Sequence, residues 1–264
     1  MKTITNVREV APLHLDRCRR VVVLTGAGVS VASGLPTYRG PGGLWNDAEI
    51  ARLVDARNLP ESLPGLWNLY SGRRASIKDV GPNAAHRALA AAQTRLNTPE
   101  EPDRFLVVTQ NIDGLHQRAG SDPVLELHGS GLRTRCSNPK CRLAPFADDT
   151  AYEGVPSCPK CGSALRPDVV LFGEYLDPRV MERAAQALYR CDLFLAVGTS
   201  GVVYPAASCA EIASQGGART VAVNVEPMDP PNPAFPEEVI GRAEEVLPVL
   251  LGVSDQGSWA RDGR

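Results

Sequence analysis

The sequence predicts an α/β fold, a Rossmann-like doubly wound parallel sheet that carries a second, smaller domain, on three observations. An apolar run, Val21-Val22-Val23-Leu24, opens into Gly26-Ala27-Gly28 and a helix-like stretch, the start of a mononucleotide-binding unit. Short runs rich in β-branched residues then alternate with helical stretches, as parallel strands buried on both faces do. Two segments break that alternation, and one of them holds four closely spaced cysteines.

Taken in order, strands are expected at Val21–Leu24, Phe105–Thr109, Val124–Leu127, Val169–Phe172, Leu193–Val197 and Thr220–Val225. Each is short and apolar along its length. Helices are expected at Ala84–Arg95, after the Gly81-Pro82-Asn83 start, at Pro178–Tyr189 and at Ala206–Gln215. Residues 40–79 have Pro and Gly punctuation and helical patches but no strand. Residues 131–166 hold the cysteines. The expected division is therefore a large domain of residues 1–39, 80–130 and 167–253, a small domain of 40–79 and 131–166, and a polar tail, 254–264.

Composition bounds the function. The 264 residues, 43% of them hydrophobic and 22% charged, suffice for a full soluble core. A net charge of −2 offers no basic footprint for nucleic acid. No run reaches membrane-span length, and residues 1–20 lack the apolar core of a signal peptide, so a cytoplasmic protein is expected.

Cys136, Cys141, Cys158 and Cys161 fall as C-x4-C, a gap of 16 residues, then C-x2-C. Two close pairs joined by a hairpin-sized gap are what one tetrahedral Zn²⁺ requires, each knuckle giving two thiolates. With four sulfur ligands there is no position for water, so the ion is expected to be structural. Cys18, Cys191 and Cys209 are scattered singly, as reduced buried thiols are.

The glycine turn continues as Gly26-Ala27-Gly28-Val29-Ser30, and its third fingerprint position is Val31. The acidic residue expected about 20 positions on is also missing, which argues against an ordinary dehydrogenase. The turn can still let backbone approach a pyrophosphate, with Ser30 adding a hydroxyl. Thr109-Gln110-Asn111-Ile112-Asp113-Gly114 follows one strand and Glu126-Leu127-His128-Gly129 the next, both at carboxyl ends, where ligands bind in open α/β sheets. Of the four histidines, His14 and His86 read as surface or packing residues and His116 is ambiguous. His128, at a strand end, is best placed for proton transfer. Gly198-Thr199-Ser200 and Asn224-Val225-Glu226 extend this ring of polar strand ends.

These motifs, with Ser33-Gly34-Leu35-Pro36-Thr37-Tyr38-Arg39 and the four cysteines, resemble the sirtuin family in order, spacing and content, from about Arg19 to Leu251. The resemblance implies an NAD⁺-dependent protein lysine deacylase that releases nicotinamide and O-acyl-ADP-ribose. It implies NAD⁺ as co-substrate, one structural Zn²⁺ and acyl-lysine proteins or peptides as partners. By the same resemblance His128 would be the general base, with Asn111 and Asp113 on the nicotinamide carboxamide and Gln110 at the adjoining ribose. Gly26, Ala27, Gly28, Ser30, Pro36, Tyr38, Arg39, Trp45 and Ile112 would line the phosphate and nicotinamide end. Gly198, Thr199, Ser200, Asn224, Val225, Glu226 and Ala243 would hold the adenosine half. The substrate would add as a strand between Phe172-Gly173-Glu174 and Val202-Val203-Tyr204.

Tyr70-Ser71-Gly72-Arg73 bears on the acyl group. On a helix, Tyr70 and Arg73 share a face, and a guanidinium fork beside a phenol suits a carboxylate. This resembles the Tyr-x-x-Arg of class III members, which remove succinyl, malonyl and glutaryl groups. Val54 stands where those members carry a small residue, Asp55-Ala56 replaces their Thr-Pro, and Tyr38 replaces the usual Phe. A plain deacetylase and a mono-ADP-ribosyltransferase are the alternatives. A zinc ribbon acting without catalysis would leave His128, Asn111 and Asp113 without purpose.

Overall fold

The computed structural model of the chain describes residues 2–38, 43, 46–199 and 206–253. Ten strands are present among them: β1 (Lys2–Ile4), β2 (Val21–Thr25), β3 (Phe105–Thr109), β4 (Val124–Glu126), β5 (Gly129–Cys136), β6 (Phe146–Ala147), β7 (Leu165–Val169), β8 (Leu193–Val197), β9 (Arg219–Asn224) and β10 (Glu237–Ile240). The helices are α1 (Ala48–Leu53), α2 (Leu63–Asp79), α3 (Ala84–Leu96), α4 (Leu115–Arg118), α5 (Pro178–Arg190), α6 (Ala206–Gln215) and α7 (Ala243–Leu251). Seven strands form a parallel sheet in the order β1-β10-β9-β8-β2-β3-β4.

Strand periodicity divides the core. Val21, Val23, Phe105, Val107, Leu195 and Val221 point to one face, against Leu89 of α3 and Val246 and Leu250 of α7. Val22, Leu24, Leu106, Val108 and Phe194 point to the other, against Leu188 of α5 and Ala210 and Ala213 of α6. Both faces are covered, which is why β2, β3 and β8 read as unbroken apolar runs. Helix starts follow their caps: Asn83 accepts from Ala85 N and forms a reciprocal box with His86, and Asp177 accepts from Arg179 N ahead of Pro178.

The second sheet is antiparallel, β6-β5-β7. Trp67 of α2 packs against Cys136 and Leu165 in it and against Cys158 in the turn before β7, and its indole N–H donates to Leu165 O at 2.9 Å. The fully buried Arg74 donates to Gly131 O, Arg133 O, Thr150 O and Thr134 Oγ1 and pairs with Asp148, tying α2 to the ribbon.

One sequence expectation is corrected. Val169–Phe172 is not a strand of the parallel sheet: β7 ends at Val169 and runs antiparallel to β5, because the Cys158–Gly162 turn brings the chain back beside it. Beyond it, Phe172 makes only an isolated parallel bridge with Asp55. The helix-like stretch after Gly26 is a 3-10 helix, Ala27–Ser33, closed by Gly34 at φ 94°. Two strands that the sequence reading did not mark are present, β1 at the sheet edge and β10 between β1 and β9. β10 places two glutamates inside the sheet, with Glu237 paired to Arg219 and Glu238 accepting from Met228 N.

Candidate active site

Parallel strands point all their carboxyl ends to one edge, and there a cavity of about 760 Å³ opens between the large sheet and the ribbon. Its floor is built by backbone proximity. Gly26 N donates to Val197 O and Gly28 N to Gly198 O, at 3.0 and 2.9 Å. A Cβ at Gly28 would come within 2.7 Å of Gly198 Cα, and Gly198 itself sits at φ 61°. Three glycines are therefore required where the loop after β2 lies against the end of β8, and the absence of side chains there leaves room for a ligand to approach the backbone.

His128 lies on the wall, after β4. Its Nδ1 is 2.9 Å from Gln110 O, a carbonyl, so this nitrogen carries the proton and Nε2 keeps its lone pair. Burial pushes the imidazole pKa below its ordinary value, partly offset by that hydrogen bond. Gly129, at φ 75°, follows because any side chain there would collide with Asp168 O of β7.

Asn111 lines the cavity with its amide group already committed: Nδ2 donates to Gly26 O at 3.0 Å and to Ser30 Oγ at 3.3 Å. Asp113 and Ser30 stand one layer behind. Ser30 Oγ donates to Asp113 Oδ2 at 2.7 Å, Leu115 N donates to Oδ1, and burial raises the carboxyl pKa above its usual range. Gln110 reaches across to Thr199 Oγ1 at 3.0 Å.

The ribbon side of the cavity is apolar. Val54, Tyr70, Ile112, Val169 and Leu171 form one cluster with Leu63 and Leu66. Burial drives the Tyr70 phenol pKa far above its ordinary value, so the hydroxyl stays protonated and can donate. One turn on along α2, the Arg73 guanidinium lies 4.7 Å from the Tyr38 ring centroid. Phe172 N donates to Val54 O and Ala56 N to Phe172 O, so the backbone of Phe172 is already paired to the small-domain chain.

The four cysteines, far apart in sequence, converge: all four Sγ atoms lie within 4.8 Å of one another. Cys136–Cys161 is 3.5 Å and Cys141–Cys158 is 3.8 Å. Those separations are too long for disulfides and match the tetrahedron edge of about 3.8 Å that Zn–S bonds of about 2.3 Å impose. The donor set fits one structural Zn²⁺.

Of the expected site residues, the cavity brings together Gly26, Ala27, Gly28, Tyr38, Gln110, Asn111, Ile112, His128, Gly198, Thr199, Asn224, Val225, Glu226, Ala243, Tyr70, Phe172, Gly173 and Glu174. Glu174 turns its carboxylate to Arg166 and to Leu171 N, a structural tie. Pro36 is exposed and off the wall. Arg39, Trp45, Ser200, Val202, Val203 and Tyr204 lie outside the described residues. Sequence reasoning missed Val170, Pro227, Met228, Asp229 and Gly241, which line the cavity without any motif to mark them, and it assigned no role to Thr37, which lines it too.

The profile of the Sir2 family matches residues 26–205. The chain belongs to the Sir2 family. Among Sir2 relatives, the NAD-dependent protein deacylase 2 of Pyrobaculum aerophilum is 44% identical over 90% of this chain and 92% of its own. The NAD-dependent protein deacylase 1 of Pseudomonas aeruginosa is 42% identical over 90% and 95%. A Sir2 homologue solved with NAD superposes with a TM-score of 0.78 at 38% identity, covering 88% of both chains. A Sir2 structure with a deacetylated peptide and 3′-O-acetyl-ADP-ribose gives 0.70 at 31% identity over 88% and 92%. Among the described residues no helix is long and apolar enough to cross a membrane.

Proposed function

We propose that this chain is an NAD⁺-dependent protein lysine deacylase that accepts acidic acyl groups, succinyl and malonyl, as well as acetyl. Family membership and the names of its relatives support the deacylase reading. The observation that carries the acidic preference is Tyr70 and Arg73 at i and i+3 on α2, with Tyr70 in the cavity wall. A phenol held protonated and a guanidinium one turn away can share a carboxylate, which apolar walls would otherwise desolvate at high cost.

The residues divide the work. NAD⁺ supplies a carbon at the ribose that becomes electrophilic as nicotinamide leaves. Asn111 and Asp113 orient the carboxamide, and the glycines at 26, 28 and 198 admit the pyrophosphate. Gln110, Thr199, Asn224, Val225, Glu226 and Ala243 serve the ribose and adenosine, with Ser30 behind the loop. His128, its Nδ1 tied to Gln110 O, uses Nε2 to take a proton from a ribose hydroxyl. The peptide lies along Gly173 with main-chain bonds, and the two-domain division, 1–39, 80–130 and 167–253 against 40–79 and 131–166, puts it in the cleft. A cytoplasmic setting belongs to this reading, since a four-thiolate zinc site needs reduced cysteines.

The test follows nicotinamide release from NAD⁺ with matched acetyl-, succinyl- and malonyl-lysine peptides. Arg73→Met is expected to lower kcat/KM for the acidic acyls by about 10- to 100-fold, from the loss of charge-assisted hydrogen bonds, and to change acetyl-lysine turnover by less than about threefold. Acetyl preference in the wild type would mean that Val54 closes the pocket. No release with any peptide would end the deacylase reading.

A further inference from the structure

Two threonines close the strands from which the cavity loops spring. Thr25 ends β2, Thr109 ends β3, and they are register partners. Both are buried, and the Thr25 hydroxyl donates to Thr109 Oγ1 at 2.8 Å. His116 Nε2 lies 2.8 Å from Thr25 Oγ1 on its other side. Thr109 Oγ1 in turn accepts the backbone N–H of Asn111 at 3.0 Å.

The rest of each strand is apolar, Val and Leu in β2 and Phe, Leu and Val in β3, and a Val would fit either terminal place with the same shape and better strand propensity. Threonine at both positions, with a fully buried histidine turned onto the pair, serves a polar purpose. We propose that Thr25, Thr109 and His116 are positioning residues that fix Asn111, and through it the nicotinamide end of the cavity. The inference rests on the reading of Asn111 as a carboxamide partner. With Asn111 N held by Thr109, its side chain has one place to go, Gly26 O and Ser30 Oγ. Thr25 thereby links the loop it precedes to the loop that Thr109 precedes.

A second histidine supports the third member. The His86 and His116 rings stand 4.9 Å apart, both buried. His86 Nδ1 accepts from Asn83 N, and Asn83 Nδ2 donates to Val29 O, so the ring packed against His116 is itself tied to the cofactor loop from its far side.

The test compares Thr109→Val with Thr109→Ser in the full chain, reading KM for NAD⁺, KM for acyl-peptide, nicotinamide inhibition and thermal midpoint. T109V leaves Asn111 N–H buried and unpaired, and is expected to raise KM for NAD⁺ and weaken nicotinamide inhibition by about tenfold with peptide KM unchanged. T109S keeps the hydroxyl and should restore both. Equal losses in T109V and T109S, or no loss in T109V, overturn the inference. If T109V does not fold, Thr25→Val, which removes the neighbouring hydroxyl alone, must produce the same split between the two KM values, and its failure to do so overturns the inference as well. Asn111→Ala separates the two readings. Unchanged nicotinamide inhibition in N111A refutes the role of Asn111 itself, whereas a strong N111A effect beside a silent T109V refutes only the positioning.

Discussion

His128 illustrates how much of a residue's chemistry comes from one neighbouring carbonyl. Gln110 O fixes the proton on Nδ1, and burial lowers the imidazole pKa, so the ring is neutral across neutral pH, as the proposed base must be. The sign is definite: protonation removes the base, so kcat/KM should be flat near pH 7.5 and fall only on an acid limb whose midpoint lies below the ordinary value of about 6.5. His128→Ala should cost about 10²–10⁴-fold in kcat, with NAD⁺ binding by calorimetry retained. That His128 faces the cavity was legible from its place at a strand end. The orientation of Asn111 was not, because its amide is fixed by Gly26 O and Ser30 Oγ, which lie 85 and 81 positions away in the chain.

Elements contact each other here through polar groups as well as apolar ones. α3 and α4 meet at His86 and His116, whose pKa values burial lowers to about 4 and about 3. Both folded values lie below the unfolded one, so their stability contribution is complete above about pH 6.5 and is lost as pH falls toward 4 and 3. Urea melts should therefore show stability declining from pH 6.5 to 4, on the order of 2–3 kcal/mol per histidine, and His86→Gln should flatten that slope. Between α2 and the ribbon, Arg74→Met would strand Asp148 and four other acceptors and should destabilise by about 3–5 kcal/mol. The central strands β2, β3 and β8 were readable because burial on both faces leaves an unbroken apolar run. β1 and β10 were not: an edge strand of three residues and a strand with two glutamates owe their place to pairing and to Arg219, both remote in sequence. The misplacement of Val169–Phe172 has the same origin, since an apolar run does not state which sheet it joins.

At the scale of the molecule, the cavity lies between the large sheet and the small domain, and within that domain the four cysteines close the ribbon beneath Trp67 of α2. Their convergence was legible from spacing alone, whereas the wall at Pro227–Asp229 was not, since it arises from how a loop falls beside the cavity. Cys161→Ser should reduce zinc content, measured by atomic absorption, and abolish acyl-peptide turnover. Hydrogen exchange in the same variant should leave β2, β3 and β8 protected, because their packing involves none of the ribbon residues. Trp67 offers a direct way to watch this. Its ring lies against Cys136 and Cys158, on the helix that carries Tyr70 one turn further on. Loss of the metal would wet the indole and move its emission to longer wavelength, while an acyl chain entering beside Tyr70 would alter its intensity without that red shift. The fold thus contains its own fluorescent gauge, able to tell an emptied ribbon from a filled pocket.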